Sequence, residues 1–275
     1  MKKLILIASL LMVSWGSHHV LNAQEPEWVW AKSFGGSENE GQTQMIIDNQ
    51  ENLYVIGTFQ SELDFGDFIL TPGLQSEFVV KFNSEGEAIW GKSFGSWELN
   101  SFAFISSVAV DSENNVYISG YFTGSLTFAN TTVETDNWMF YFAKYDSIGN
   151  ELWIITSDAS ESKIQVDSED NIIVAGIFQG QVSFDSVVLT SNGSTDIFTA
   201  KFDEDGNLIW AKNFGGDDWE SLQDMTIDSN DNIILLGSFY SDSITFGSTT
   251  LNGYNTDPVY PDLFLVKYSS TGEEL

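Results

Sequence analysis

The stretch Ile197–Gly216, IFTAKFDEDGNLIWAKNFGG, decides the fold because near copies of it recur along the chain. It holds two apolar runs rich in β-forming residues, Ile197–Phe202 and Leu208–Phe214, with the polar segment Asp203–Gly206 between them. Asp accepts hydrogen bonds from turn amides, and Gly adopts the positive φ that other residues resist, so such a segment is typical of a tight turn. The stretch is therefore predicted to form a β-hairpin.

The hairpin recurs with a fixed spacing between its lysine, its turn glycine and its tryptophan. In every copy the lysine lies five residues before the glycine, and successive tryptophans are 60, 63 and 57 residues apart. A period of this size, with several strands in each repeat, indicates a propeller or a solenoid. The lysines are Lys81, Lys144, Lys201 and Lys267, the glycines are Gly86, Gly149, Gly206 and Gly272, and the tryptophans are Trp30, Trp90, Trp153 and Trp210.

A second signature lies between the hairpins and also predicts strand, turn and strand. MIIDNQENLYVIGTF, which is Met45–Phe59, aligns without a gap with one segment of each later repeat. Each copy begins a polar turn with Asp, places an Asn four residues later, and ends an apolar run with Gly-x-Phe. Because Asn tolerates a left-handed backbone, it is predicted to take that conformation at the end of the turn. The aspartates are Asp48, Asp111, Asp167 and Asp228.

These motifs resemble the bacterial β-propeller repeat family often called SBBP. Its members carry a D-x-x-x-N-x-[YV]-[VI]-x-G core and a [FY]-x-x-K-[FY]-x-x-x-G-x-x-x-W hairpin, and the resemblance covers Glu27 to Leu275 in four copies. It implies an all-β propeller of four-stranded antiparallel blades and a secreted or surface-exposed repeat module. The predicted repeats are 28–89, 90–152, 153–209 and 210–275.

The first residues have the pattern of a secretory signal peptide. A basic Met1–Lys3 precedes the apolar run Leu4–Trp15, and Leu21–Ala23 is a candidate cleavage site. The apolar run is short for a membrane span. We therefore predict that residues 1–23 are removed and that residues 24–275 form a propeller domain that is secreted or at the cell surface, without membrane insertion.

Composition excludes several kinds of site from that mature chain. Both histidines, His18 and His19, lie in the signal peptide, and the chain has no cysteine and no arginine. A serine–histidine triad, a cysteine nucleophile, a His or Cys zinc site and an arginine clamp on phosphate are all excluded. Cleavage leaves eight lysines against 40 acidic residues, a formal charge of −32. That charge repels nucleic acid and suits neutral ligands, cations or a basic partner.

The repeated lysines and the acidic residues of the turns can each have a structural role or a ligand-binding role. The repeated lysines form either a ring of cations for an anionic ligand or, as we favour, structural contacts, in which they pair with acids at repeat positions or lay their stems along the surface between blades. The turn Asp203–Asn207 resembles the start of a calcium loop, but Phe214 stands where an EF-hand has its Glu. We favour plain turns without a cofactor or metal, and retain calcium as an alternative.

The aromatic residues divide into repeated and unrepeated positions. The repeated tryptophans are expected between blades. Trp97, Trp219, Tyr254 and Tyr260 lie in variable loops, as does Trp138, and exposed aromatic rings beside carboxylates are typical of sugar binding. These loop residues are the candidate ligand-binding site, and packing of the loops on the propeller is the alternative. Asn252–Asp262 is the longest insertion and the candidate for a dedicated binding loop.

Two further alternatives concern chain closure and function. The N-terminal strand closes a four-bladed ring, or, as we favour, the chain is a fragment of a larger array. We predict a non-enzymatic binding or scaffold module for an unknown extracellular protein or glycan. The rivals are a purely structural spacer and a carbohydrate-active enzyme with paired carboxylates, for which Glu38, Glu40, Asp217, Asp218 and Glu220 are candidates.

Overall fold

A computed structural model describes residues 29–73, 75–96, 101–254 and 260–274. Residues 29–31 belong to a separate N-terminal unit, and the propeller lies in the unit that begins at Lys32. The described residues form β-strands and no helix. The strands build four antiparallel sheets arranged as the blades of a β-propeller, which confirms the predicted fold class. None of the described residues forms a helix of the length and hydropathy that a membrane crossing needs.

The first two blades each have four long strands. The first sheet has the order β1-β2-β5-β6, with a separate hairpin β3-β4, and the second has the order β7-β8-β9-β10. In the second blade the short hairpin is continuous with the main sheet, because its two middle strands are extended. The strands are β1 (Glu40–Ile47), β2 (Leu53–Phe59), β3 (Leu63–Asp64), β4 (Ile69–Leu70), β5 (Gln75–Phe82), β6 (Ala88–Ser96), β7 (Phe102–Val110), β8 (Val116–Phe128), β9 (Thr131–Tyr145) and β10 (Glu151–Ser157).

The last two blades repeat the plan of the first. The third sheet has the order β11-β12-β15-β16, and the described part of the fourth has the order β17-β18-β21. Each is accompanied by a short hairpin, β13-β14 and β19-β20. The strands are β11 (Ser160–Val166), β12 (Ile172–Phe178), β13 (Gln181–Phe184), β14 (Val187–Thr190), β15 (Asp196–Phe202), β16 (Leu208–Phe214), β17 (Glu220–Ile227), β18 (Ile233–Phe239), β19 (Ser243–Phe246), β20 (Thr249–Asn252) and β21 (Asp262–Tyr268).

The turn between the first two strands of a blade differs from its prediction at one residue. The left-handed backbone lies one position before the expected Asn, at Glu51 in the first blade with φ of 64°. Asn52 instead uses its side chain, which donates from Nδ2 to the carboxylate of Asp48 at 2.9 Å. The same carboxylate accepts the amides of Gln50 and Asn52, so the turn needs its left-handed residue between them.

The hydrophobic core lies between successive sheets. One cluster joins the first blade to the second and includes Tyr54, Trp90 and Tyr145. Further clusters join the second blade to the third and the third to the fourth. Each repeated tryptophan after Trp30 therefore packs between two blades, and blade-on-blade burial stabilises the array.

The innermost strand of every blade carries a β-bulge. The register shifts between Gln42 and Gln44 in β1 and between Ile105 and Ser107 in β7, and β11 and β17 shift in the same part of the strand. A bulge bends its strand and redirects side chains. The bulged segments of β7, β11 and β17 contribute residues to the pocket described below.

Candidate functional site

Each blade carries an ion pair between its repeated aspartate and lysine. In the first three blades the paired side chains are at most 9% exposed, whereas in the fourth the lysine is 43% exposed. The Nζ-to-carboxylate distances are 3.4 Å for Lys81–Asp48, 3.8 Å for Lys144–Asp111, 2.6 Å for Lys201–Asp167 and 2.7 Å for Lys267–Asp228.

The buried lysines also link neighbouring blades. Lys81 Nζ donates to the carbonyl of Ser147 at 3.2 Å, and Lys144 Nζ donates to the carbonyl of Glu204 at 3.1 Å. Both carbonyls lie in the hairpin turn of the next blade, and the third blade repeats the contact. The lysine charges are therefore used within the fold, as the pairing hypothesis expects.

The aspartate in the Asp–Asn turn of the third blade is held ionised by local donors. Burial raises the pKa of Asp167, but hydrogen bonds from Lys201 and Asn171 outweigh it and leave the pKa below its usual value. At the exposed hairpin turn, Asp203 Oδ1 accepts the amide of Asn207 at 2.8 Å. Within the described ranges no three His, Cys, Asp or Glu side chains are grouped to hold a metal ion. Calcium binding stays a prediction, which melting with and without EDTA tests.

The candidate loop aromatics that the structure describes lie at one end of the blades. We call it the loop end, where residues 158–159 and 215–219 cross from one blade to the next. Trp219, Tyr254 and Tyr260 are all exposed there. The backbone of Trp219 is fixed, because its carbonyl accepts the amide of Tyr240 at 2.9 Å and it bridges to Thr195. Trp97 and residues 255–259 of the Asn252–Asp262 insertion lie outside the described residues.

Glu220 is the buried acid among the carboxylates proposed for the rival enzyme. Burial raises its pKa to about 7. Its Oε1 accepts the hydroxyl of Ser241 at 2.6 Å, and its Oε2 accepts the amide of Gly216 at 3.0 Å. Because both oxygens bind the protein's own donors, the geometry gives Glu220 a role in holding the 215–219 loop.

A pocket of about 560 Å³ lies where the four blades meet. The first blade contributes Glu77, the second Phe104 and Tyr121, the third Lys163 and the fourth Gln223. This volume lies within the range of small-molecule sites. Glu77 is the third residue of β5, so the pocket lies in the half of the blades nearer the loop end.

Glu77 places a buried carboxyl group at this pocket. The residue is 1% exposed, and burial raises its pKa to about 8, although the backbone amide of Ile105 donates to it and lowers the pKa. Its Oε1 has no hydrogen-bond partner among the described residues. The Oγ of Ser162, which also lines the pocket, is likewise buried without a described partner. Buried polar atoms are usually hydrogen-bonded, so two such atoms at one pocket need an explanation.

An aromatic cluster forms one side of the pocket. The rings of Phe104 and Tyr121, which line it, stack with centroids 5.0 Å apart. Trp138 packs against Tyr121 at 5.4 Å and against Phe104 at 5.9 Å. The sequence predicted a variable loop at Trp138, but the structure places this residue on β9, where it packs against the aromatic pair that lines the pocket.

Comparisons with known proteins give a limited likeness. No family model matches the chain. The uncharacterized WD repeat-containing protein L264 of Acanthamoeba polyphaga mimivirus is 26% identical over 230 residues, a match that covers 70% of this chain and 16% of that protein. The chain therefore spans about a sixth of the length of this relative.

Two solved structures are similar at low scores. One is a protein of unknown function from Bacteroides caccae, with a TM-score of 0.35 and 8% identity over 87% of this chain and 81% of that one. The other is TcdA4 of Morganella morganii, with a TM-score of 0.34 and 10% identity over 83% of this chain and 13% of that one.

Sequence reasoning missed the pocket residues, although one signal was present. Counting back from the repeated lysine, Glu77 occupies the position of Phe140, Ile197 and Leu263 in the other repeats. A carboxyl group at an otherwise apolar repeat position marks a departure from the structural pattern. Lys163 is the one lysine after residue 23 that lies outside the hairpin positions, and it lines the same pocket.

Proposed function

We propose that this chain is a non-enzymatic binding module of an exported repeat protein of the SBBP type, which engages a partner protein through its loop end. The observation that carries the proposal is the exposure of Trp219, Tyr254 and Tyr260 on loops of the last two blades. Exposed Trp and Tyr are frequent anchors of protein interfaces, because their large rings lose little conformational entropy on binding.

Charge defines the partner more closely. The chain carries a formal charge of −30, and Asp217 and Asp218 stand directly before Trp219. Acidic groups around aromatic anchors attract a basic surface and increase the association rate at low salt. The likeness to a WD repeat-containing protein supports a binding role for the propeller.

A peptide library displayed on phage and selected on residues 24–275 tests the proposal. We expect enrichment of peptides rich in Lys and Arg, and loss of their binding to a variant with Trp219, Tyr254 and Tyr260 all changed to Ala. The matched control is Ile209→Ala, an exposed apolar residue on β16 away from these loops. Enrichment that persists on the triple variant, or no enrichment at all, contradicts the proposal and favours the spacer.

Cleavage of the signal peptide tests the proposed export. For export, the N-terminal sequence of the secreted protein should begin at Gln24.

For the carbohydrate-active enzyme, incubation of the protein with oligosaccharides should release no new reducing ends. Turnover that Glu220→Gln abolishes would establish the enzyme instead.

A further inference from the structure

We propose that the pocket where the four blades meet binds a small uncharged sugar, of the size of a mono- or disaccharide. This site is separate from the loop aromatics of the proposed function, and it uses Glu77, the Phe104–Tyr121 pair and Lys163. The argument rests on the unpartnered polar atoms, on the lining chemistry and on the volume.

The unpartnered atoms call for a ligand that forms hydrogen bonds. Glu77 Oε1 and Ser162 Oγ are buried at the pocket without a described partner. Leaving such atoms unpaired costs free energy, and the sister repeats avoid this cost at the position of Glu77 by placing Phe140, Ile197 or Leu263 there. A ligand hydroxyl can both donate and accept a hydrogen bond, so it satisfies either atom.

The remaining lining favours a polyhydroxylated ring. Hydroxyl and amide groups come from Thr58, Ser106 and Gln223, which suit several ligand hydroxyls at once. The stacked pair Phe104–Tyr121 adds an aromatic surface, which suits the apolar face of a sugar ring.

The charges at the pocket favour a ligand without net charge. The pocket is lined by a carboxyl group, Glu77, from the first blade and by a cationic group, Lys163, from the third. The raised pKa of Glu77 keeps this carboxyl largely protonated at neutral pH. Lys163 lines the pocket with it, and burial together with the charge of Glu77 raises the pKa of Tyr141. The net negative charge of the protein repels an anion. A cation finds a protonated carboxyl group at Glu77 and the like charge of Lys163.

Isothermal titration calorimetry with maltose, lactose and N,N′-diacetylchitobiose tests the proposal on residues 24–275. We expect at least one of the three to bind at millimolar concentration or below. Glu77→Leu should weaken that binding about tenfold or more, because it removes a buried hydrogen bond. Leu is the residue of the fourth repeat at this position, so the variant should fold and melt at or above the wild-type temperature.

Further variants separate this site from the loop surface. Tyr121→Ile and Lys163→Gln introduce the residues that the third and first repeats carry at those positions, Ile177 and Gln44, and each should weaken binding. Trp219→Ala should leave sugar binding unchanged while it impairs the peptide binding of the proposed function.

Three outcomes would overturn the proposal. They are the absence of heat with all three sugars, equal sugar affinity for folded Glu77→Leu, Tyr121→Ile and wild type, and binding of 6-aminohexanoate in place of the sugars. The last would assign the pocket to a zwitterion that pairs with Glu77 and Lys163. If the loop variants lose peptide binding and no sugar binds to the wild type, the sugar site is wrong and the proposed function holds.

Discussion

At the scale of single residues, Glu77 and the repeated lysines show two fates of a buried charge. Lys201 meets Asp167 at 2.6 Å, so its charge is paired and its hydrogen bonds are satisfied. Glu77 meets a single described donor, the amide of Ile105, and keeps one oxygen without a partner. Burial of an unpaired carboxylate is costly, so the group retains its proton at neutral pH.

The stability of the wild-type protein should depend on pH through Glu77. Its folded pKa is about 8 against 4.5 ordinarily, so between these values the unfolded state releases a proton that the folded state keeps. The contribution of this group to the free energy of unfolding therefore falls as pH rises from about 4.5 to about 8, by up to ~1.4 kcal/mol per pH unit. Glu77→Leu removes the effect, so its advantage over wild type in urea denaturation should be larger at pH 8 than at pH 5. An equal difference at both pH values would contradict this prediction.

Lys201→Met should destabilise the protein by about 3 kcal/mol, because it leaves Asp167 buried without its countercharge. The matched control is Lys267→Met. Lys267 makes the same ion pair in the fourth blade but is 43% exposed, so solvent replaces the lost partner and the effect should be much smaller. Urea denaturation of both variants at neutral pH measures the difference. Equal losses would mean that the buried lysines act only through their aliphatic stems.

At the scale of the element, the hairpin turns explain why glycine ends each of them. Gly149 has φ of 87°, and a Cβ placed there would lie 2.8 Å from the ring of Trp90 in the preceding blade. Gly180 also has a positive φ, but a Cβ there would meet nothing within 4 Å. The repeated tryptophan and the repeated glycine are therefore two halves of one contact between blades.

Gly149→Ala should cost more stability than Gly180→Ala. Both variants strain a left-handed backbone by about 1 kcal/mol, and the first also displaces the Trp90 ring. The difference between the melting temperatures of the two variants measures the contribution of the contact between Gly149 and Trp90. If the two melt alike, the Trp90 ring moves aside at little cost and the glycine is required by the turn alone.

At the scale of the whole molecule, the first and last blades each leave one apolar face exposed among the described residues. In the fourth blade Leu263 is 74% exposed and Leu265 is 70% exposed, whereas the third blade buries Ile197 and Thr199 at the same positions against its neighbour. In the first blade Met45 is 69% exposed, whereas Val108 at the same position of the second blade is buried against the first. The two uncovered faces are thus the two sides of the contact that joins successive blades.

These faces predict head-to-tail association of two copies, with the first blade of one copy on the fourth blade of the other. Light scattering after gel filtration of residues 24–275 should show species above the monomer mass. Leu265→Lys should shift the protein toward monomer, because it places a charge in an apolar contact. Ile209→Lys is the control, since Ile209 is as exposed as Ile89 at the same position of the first blade and belongs to none of the core clusters of the described residues. A wild-type monomer would contradict the prediction.

The repeat pattern of the sequence determined the blades, because each strand, turn and core position recurs with a fixed spacing. The lysine, aspartate, glycine and tryptophan positions follow from the same pattern, since their partners lie one strand or one repeat away. The sequence placed the left-handed residue of the Asp–Asn turn one position too late, because Asn52 uses its side chain where its backbone was expected to act.

Only the tertiary structure decided which unrepeated residues meet. Glu77, Tyr121 and Lys163 come from three different blades, and no spacing along the chain relates them. The assignment of Trp219, Tyr254 and Tyr260 to the loop end, and of Trp138 to the pocket side, likewise depends on how the blades pack. Local sequence sets hydrogen bonds within a repeat, whereas a site between repeats exists only once burial of the apolar faces has brought the blades together.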